Sequence, residues 1–374
     1  MKVLHLNSYY IDNHLYSQLY GFFEPYVEQK VYIPIKQDRK PENVVEFKRT
    51  ELIFEKVITP LHKYNYFGKV KTITKDAIAK NIQKDVDFVH AHNLFTDGAL
   101  AYQLKKKFGL EYIVAVRATD IGLQYKLMYH RRPFIKKVLK EAKHIIFISP
   151  TNRDKMLQMM PSSFIQKIKD KIRVIPNGIN EVWLNNTKEP SGVTLADERN
   201  LIYVGQIMRR KNLFALIDGI ELLRSKSGKE YRLTVVGGAN VYEEAYYEEF
   251  LAKIANLDWV FFKGKIMEKD KLMQEYRQSD IFVMPSKSEL FGLVYIEALS
   301  QGLPVLYSKN EGINGYLEGK DVGMAVDPDN IEEIATGIEN IADNYQEYKN
   351  FEAIIAPFNW GEIVNQYLSM YGHE

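Results

Sequence analysis

Glu289 and Glu297 stand in a Glu-x7-Glu spacing within the stretch SDIFVMPSKSELFGLVYIEALSQGLPVL of this 374-residue chain. The apolar run ahead of them reads as a strand ending at Ser286, and a helix begins near Phe291 with Gly292 in its first turn. A helix start leaves backbone N–H groups unpaired and carries the positive end of the helix dipole, so it stabilises an anion such as a pyrophosphate. Gly292 lets that anion approach the main chain. Glu289 lies just before the helix and Glu297 two turns inside it, so both carboxylates can address one ligand. The same residues also fit a plainer reading, in which Glu289 caps the helix and Glu297 is a solvated acid.

A second cluster is VGQIMRRKNLF, where a strand ends at Val204-Gly205 and a helix opens near Asn212. Arg209, Arg210 and Lys211 fall between the two. Cations at a helix start oppose its dipole, which a bound anion would offset; a solvated loop is the alternative. VVGG, ending at Gly237-Gly238, is a further strand end that admits a close ligand or a tight turn. In the first half, His90 and His92 end the run DFVHAH. They could shuttle protons near neutrality, serve the core, or touch an acceptor, and they are too few for a zinc site without other ligands.

Such groups need strands to present them. KVLHLN, VYIPI, DFVHAH, YIVAVR and HIIFIS in the first half, and NLIYVGQ, RLTVVGG, VFFKG, IFVMPS, PVLYS and GMAVDP in the second, are nearly continuous apolar runs separated by helix-length segments. Continuous runs mark parallel strands covered on both faces, and the alternation gives two doubly wound α/β sheets with ligands at the carboxyl ends of their strands. IRVIPNGIN closes the first half, with Asn177-Gly178 as a hinge candidate, and Lys188 to Arg199 reads as a linker or surface loop. NWGEIVNQYLSMYG is an amphipathic helix. The expected domains are 1–178, with the terminal helix about 359–374 crossing back to it, and 179–358.

The composition is that of a folded chain, with 46% apolar and 26% charged residues. The absence of cysteine excludes disulfides and thiolate chemistry. The opening apolar stretch is too short for a signal-peptide core and no run of about 18 apolar residues occurs, so a cytoplasmic protein is expected. The net charge of +2 conceals an asymmetry: residues 1–180 hold 31 basic and 17 acidic side chains, and residues 181–374 hold 19 and 31. A basic half attracts nucleic acid, anionic lipid or an acidic substrate. HRRPFIKKVLKEAK, with Phe134, Val138 and Ala142 at helical spacing among cations, could lie on lipid or be an ordinary surface helix. No nucleic-acid motif accompanies the charge, so none is expected as a partner.

In order, DFVHAH, VIPNGI, the Gly-x5-Lys from Gly205 to Lys211, VVGG, FFKGKI, PSKSELFGLVYIEALSQGLPV and the Trp360 helix resemble the retaining family 4 glycosyltransferases of bacterial cell-envelope and capsular polysaccharide type. The resemblance covers most of the chain. It implies the GT-B architecture, two Rossmann-like doubly wound domains facing a cleft, and a retaining, metal-independent hexosyltransferase. A nucleotide sugar, UDP-linked, would be the substrate, with no cofactor and no metal. By resemblance Glu289 contacts the transferred sugar, Lys211 the donor phosphates, Glu297 the ribose, and the amides of Gly292, Leu293 and Val294 the pyrophosphate. Gly205, Gln206, Arg210, Gly237, Ile266 and Phe291 complete the donor side. Arg117 and Asp120 join Glu289 and Lys211 as catalytic candidates, and Tyr9 and His92 lie on the acceptor side. The acceptor would be a glycan or lipid-linked glycan, met by a first domain that can lie peripherally on the inner face of the plasma membrane.

Three positions depart from the family pattern. Relatives often carry Gly-Arg where this chain has Gly205-Gln206, so Arg209 or Arg210 would have to supply the missing cation. His-Gly-x-Asp is replaced by Arg117-Ala118-Thr119-Asp120, and the usual glycine pair by Asn7-Ser8-Tyr9-Tyr10. Arg117 could reach an anionic ligand or pair with Asp120. A non-catalytic partner subunit and a nucleotide-sugar epimerase are the rival readings.

Overall fold

The computed structural model describes residues 1–190, 198–289 and 291–372. The chain divides into two compact units, Met1–Gly178 with Trp360–Glu374, and Ile179–Asn359. The first unit holds strands β1 (Lys2–Leu6), β2 (Glu28–Lys36), β3 (Thr50–Ile58), β4 (Phe88–Ala91), β5 (Tyr112–Val116), β6 (His144–Phe147) and β7 (Ile172–Val174). They form one parallel sheet in the order β3-β2-β1-β4-β5-β6-β7. Every residue of β4 and β5 is buried, as a strand covered on both faces requires. Alternate side chains feed two cores. Leu4, Val89 and Val114 pack with helices Tyr66–Ala79 and Asp97–Phe108, while Val3, Phe88 and Ile113 pack with helices Leu15–Phe23 and Trp360–Tyr371.

The second unit repeats the plan with β8 (Glu198–Val204), β9 (Glu230–Val236), β10 (Val260–Gly264), β11 (Ile281–Val283), β12 (Val305–Ser308) and β13 (Gly323–Val326). Its sheet is parallel, in the order β10-β9-β8-β11-β12-β13. In both sheets the strand order reverses beside the first strand, between β1 and β4 and between β8 and β11. These reversals are where open α/β sheets bind ligands.

Three expectations change. The two edge strands, β3 and β7, were missing from the apolar runs: Glu51, Glu55 and Lys56 interrupt TELIFEKVI, and β7 is three residues long with Arg173 exposed at its centre. The linker expected from Lys188 to Arg199 is no linker at its ends. Lys188 donates its amide to Ser300 at 2.8 Å, Glu189 accepts the amides of Phe351 and Glu352, and Arg199 is buried within β8; residues 191–197 lie outside the described residues. The basic helix runs Arg132–Glu141 and buries Ile135, Val138 and Leu139, so its apolar stripe is spent on the core and is not offered to lipid.

Candidate active site

The carboxyl end of β8 sends the chain through Gly205 into a short 3-10 turn, Arg209–Lys211, before the helix Leu213–Ser227. Asn212 joins the two in the left-handed conformation at φ 60°, which asparagine tolerates, and its side-chain amide holds the carbonyls of Pro285 and Pro328. That clamp ties the turn to the end of β11. Gly237 at the end of β9 lies against the same turn: a Cβ there would overlap the Gly205 carbonyl, so close packing of two strand ends explains the glycine.

The three cations of the turn do not act together. Arg209 points away, with its guanidinium over the Tyr246 ring at 5.0 Å and 3.2 Å from Glu249. Arg210 donates to the Ser288 carbonyl at 3.0 Å and stands 3.9 Å from Glu289. Lys211 turns inward, becomes buried, and forms an ion pair with Glu289 while its ammonium also approaches Met284 Sδ at 3.6 Å. Burial holds the Lys211 ammonium below its usual range, and the Glu289 carboxylate draws it back. Arg209 therefore parts from the other two, while Arg210 and Lys211 both turn toward Glu289. Gln206 is exposed and accepts from Asn240, while its carbonyl takes the Tyr203 hydroxyl at 3.0 Å.

Glu289 is held from both sides. Its amide donates to the Glu311 carboxylate at 2.7 Å and its carbonyl accepts from Gly312. Leu290, next in the chain, lies outside the described residues. Phe291 is buried between Tyr316 and Phe358, which anchors the loop, and Gly292 has φ 86° as the residue before the helix Leu293–Ser300. The helix thus starts at Leu293, two residues later than the sequence suggests. A Cβ on Gly292 would meet the Tyr295 ring at 2.6 Å, and Tyr295 in turn donates to the Met284 carbonyl at the end of β11. The amides of Leu293 and Val294 open the first turn and have no partner within the helix. Glu297 sits apart from the Lys211 pair: Trp183 donates to it, and burial raises its carboxyl to about 7 against the pull of Lys269. Ile266, after β10, is partly buried.

In the first unit, the residues after β1 and β4 are knitted together. The Ser8 amide donates to Asp97, Asn93 bridges Ser8 and Asp97, and burial pushes the Asp97 carboxyl up to about 8. Asp120 is fully buried and accepts the amides of Leu94 and Arg117, with its carboxyl raised to about 6 by burial. It staples two loops, and its Oδ1 is left without a hydrogen-bond partner among the described residues. The Arg117 guanidinium donates to the His92 carbonyl at 2.9 Å and to Asn177 at 3.4 Å, while its backbone meets Asp120 twice, the amide donating to the carboxylate and the carbonyl accepting the Asp120 amide. Tyr9 is partly buried with its hydroxyl 3.2 Å from Thr119.

His92 lies within the core of the first unit. His5, His90 and His92 are fully buried in a stack, with His5 and His92 bonded at 3.0 Å and His90 bonded to Tyr371 at 2.6 Å. Burial lowers His5 to about 3 and the other two well below the usual range, so all three are neutral core residues. Their ring nitrogens lie within 4.8 Å of one another, close enough for the three side chains to hold a metal ion. Sequence reasoning missed Asn212, Glu311 and Trp183 in the second unit. Only the asparagine between a basic turn and a helix carried a local signal.

The two doubly wound units give the chain the GT-B architecture, and the second carries its buried ion pair and glycine-led helix start at the reversal of its sheet. The comparisons place it further. The model described as Glycosyl transferases group 1 matches residues 186–355, and that for Glycosyltransferase Family 4 matches residues 27–182. The chain belongs to these group 1 and family 4 glycosyltransferases. An uncharacterized glycosyltransferase of Methanocaldococcus jannaschii is 25% identical over 305 residues, 76% of this chain and 75% of the relative. Among solved structures, sucrose-phosphate synthase from Thermosynechococcus elongatus superposes with a TM-score of 0.74 at 20% identity, over 100% of this chain and 98% of that one. The Anabaena protein HepE in complex with UDP and glucose does so at 0.69 and 16% identity, over 100% of both chains.

Proposed function

We propose that the chain moves a sugar from a UDP-linked donor to a glycan or lipid-linked acceptor, with retention of anomeric configuration, in the building of a cell-envelope polysaccharide. The observation that carries this reading is the buried Lys211–Glu289 pair beside the start of the helix Leu293–Ser300. UDP is supported by the complex of the Anabaena neighbour, and an envelope acceptor by the basic first half.

The donor diphosphate would lie against Lys211, Arg210 and the amides of Leu293 and Val294, with the sugar near Glu289 and the ribose on Glu297. Transfer breaks the bond between the anomeric carbon and the phosphate oxygen, forms one to the acceptor oxygen, and passes the acceptor proton to the departing phosphate. Negative charge grows on that phosphate as the sugar becomes cationic. Lys211 answers the first and Glu289 the second, both fixed before the reaction, so little reorganisation is needed at the transition state. On this reading no metal is required, because the ammonium and the helix amides already face the phosphate charge. Glu289 orients and stabilises, and its ion pair with Lys211 argues against its service as a covalent nucleophile.

The test is a thermal-shift comparison of UDP, GDP, ADP and their sugar conjugates, followed by donor hydrolysis with any nucleotide that binds. A nucleotide at a hundredfold excess over its Kd adds about 2.7 kcal/mol of stability. Selective stabilisation by UDP with slow hydrolysis of a UDP-sugar is expected. Free epimer in place of hydrolysis would point to an epimerase, and no response to any nucleotide to a non-catalytic subunit.

A further inference from the structure

At the carboxyl ends of β1 and β2 the first unit opens a cavity of about 390 Å³ that the donor chemistry leaves unused. Its wall includes Lys36, Lys63, Lys69 and Arg131, and its single acid, Asp12, is already paired with Arg39 at 3.0 Å. Lys69 donates to the Thr96 hydroxyl at 2.9 Å and Arg131 lies over the Tyr66 ring at 4.5 Å; among the described residues neither meets a carboxylate at ion-pair distance. Burial lowers the Lys69 ammonium, Asp97 partly restores it, and the charges of Arg131 and Lys36 push it down again. Asp97 gives no direct contact, because its oxygens are held by the Ser8 amide and Asn93. Cations that repel one another around a cavity of this size leave a charge deficit that an anion would fill.

The rim supplies a second, independent observation. Of seventeen exposed large apolar side chains among the described residues, seven fall within 61–67 and 123–129. Leu61, Tyr64 and Phe67 from the first segment and Leu123, Leu127 and Tyr129 from the second are each 49% to 82% exposed. The two segments are neighbours: Arg131 covers Tyr66, and the Phe67 and Phe134 rings meet edge to face at 5.7 Å. Both segments also contribute to the cavity wall, through His62, Lys63 and Tyr66 on one side and Gln124 on the other, with Arg131 just beyond it. Folded proteins bury such clusters unless something else covers them. Leucine and aromatic side chains around a ring of cations suit the boundary between lipid headgroups and acyl chains.

We propose that this face of the first unit docks on an anionic lipid surface, its apolar rim entering the interface and one lipid phosphate seated against Lys36, Lys69 and Arg131. The inference rests on the transferase reading for its purpose, which is to hold the unit where a lipid-linked acceptor is presented. It also moves the membrane contact from the helix Arg132–Glu141, whose apolar stripe is buried, to the two segments beside the cavity. A soluble phosphate ester would satisfy the cations and leave the rim without a partner, so the rim decides between the two sources of phosphate.

The full chain is sedimented with vesicles of phosphatidylcholine alone and of phosphatidylcholine with phosphatidylglycerol, at low and high salt. Binding at least tenfold tighter to the anionic vesicles and weakened by salt is expected. The combined change Leu123→Ser, Leu127→Ser and Tyr129→Ser should weaken it about tenfold, as should Lys36→Ala with Arg131→Gln, while Phe108→Ser, exposed elsewhere on the unit, binds as the parent does. Equal binding to both vesicles, or rim variants that bind normally, would overturn the proposal. So would glycerol phosphate raising the Tm of a chain that ignores vesicles, since the occupant would then be a soluble ester. UDP-induced stabilisation is measured on every variant. A preserved UDP response without vesicle binding sinks the docking face and spares the transferase, and vesicle binding without a UDP response does the reverse.

Discussion

In the second unit the cation beside the central strand, Lys211, is buried with its counter-charge, Glu289, already in place, whereas in the first unit Lys69 stands near the corresponding reversal with only the Thr96 hydroxyl to meet it. The two sheets share one plan, so the difference lies in the loops at the strand ends and in the ligands they suit. A preformed pair asks for a ligand that brings opposite characters at once, an anionic diphosphate and a sugar that becomes cationic as it leaves. Unpaired cations ask for a net anion. The halves of the chain carry the same contrast, with 31 basic and 17 acidic side chains in residues 1–180 against 19 and 31 in residues 181–374.

Removing one cation from each unit tests the contrast, and the larger effect belongs to the second. Lys211→Met takes from the Glu289 carboxylate its closest cation, leaving Arg210 at 3.9 Å, in a site where the glutamate side chain is only 7% exposed. Breaking a buried pair from one side costs about 3–5 kcal/mol, and losing a fixed charge at the reacting phosphate costs roughly 10²–10³ in rate. Lys211→Met combined with Glu289→Gln should recover most of the stability in urea melts and none of the transfer. If the single variant melts like the parent, the pair is not buried as described and the contrast fails.

Gly292→Ala comes next. The substitution forces an L-residue to φ 86° and drives its Cβ toward the Tyr295 ring. The left-handed conformation alone costs about 1–2 kcal/mol, and displacement of the helix start should also weaken UDP binding measured by calorimetry. Loss of stability with unchanged UDP affinity would detach the helix start from the donor site.

Glu297 gives a smaller effect with a definite sign. Its carboxyl titrates at about 7 in the free protein, above the usual carboxylate value, so its contribution to stability is fully present at low pH and is lost as pH rises through 7. Ribose hydroxyls donate to the ionised form, so UDP affinity should be level above pH 7 and fall up to tenfold per unit below it. In Glu297→Gln that slope should vanish. A parent protein with a flat profile would remove Glu297 from the ribose site.

How much of this was legible in the sequence depended on how local each feature is. The strands of both sheets were visible because burial on both faces makes each run continuously apolar, and Glu289 and Lys211 were visible because a glycine or a basic turn sits next to them at a strand end. The two edge strands were hidden, β3 by the charges that interrupt it and β7 by its length of three residues. His92 looked like a site residue because it follows a strand, yet its ring packs among His5, Tyr16, Tyr20 and His90, which only the fold brings together. The direction of Arg209 is set by Tyr246 and Glu249, far along the chain. The basic cavity was beyond any motif, since Lys36, Lys69 and Arg131 come from a strand end, an α-helix and a short 3-10 turn that only the fold assembles.

The smallest expected effect is also the one of opposite sign. Lys69→Met removes a cation that has no carboxylate partner and stands among like charges. Methionine keeps most of the stem that packs against the helix and gives up only the ammonium, whose burial was unfavourable. The bond to Thr96 is lost, but the hydroxyl can turn to solvent in an open cavity. Stability should therefore stay within about 0.5 kcal/mol of the parent or rise slightly, as for surface changes that break no network. The same variant should lose affinity for anionic vesicles while its UDP response is untouched. A loss of several kcal/mol, like that expected for Lys211→Met, would mean that Lys69 already has a counter-charge, and the two units would then treat their cations alike.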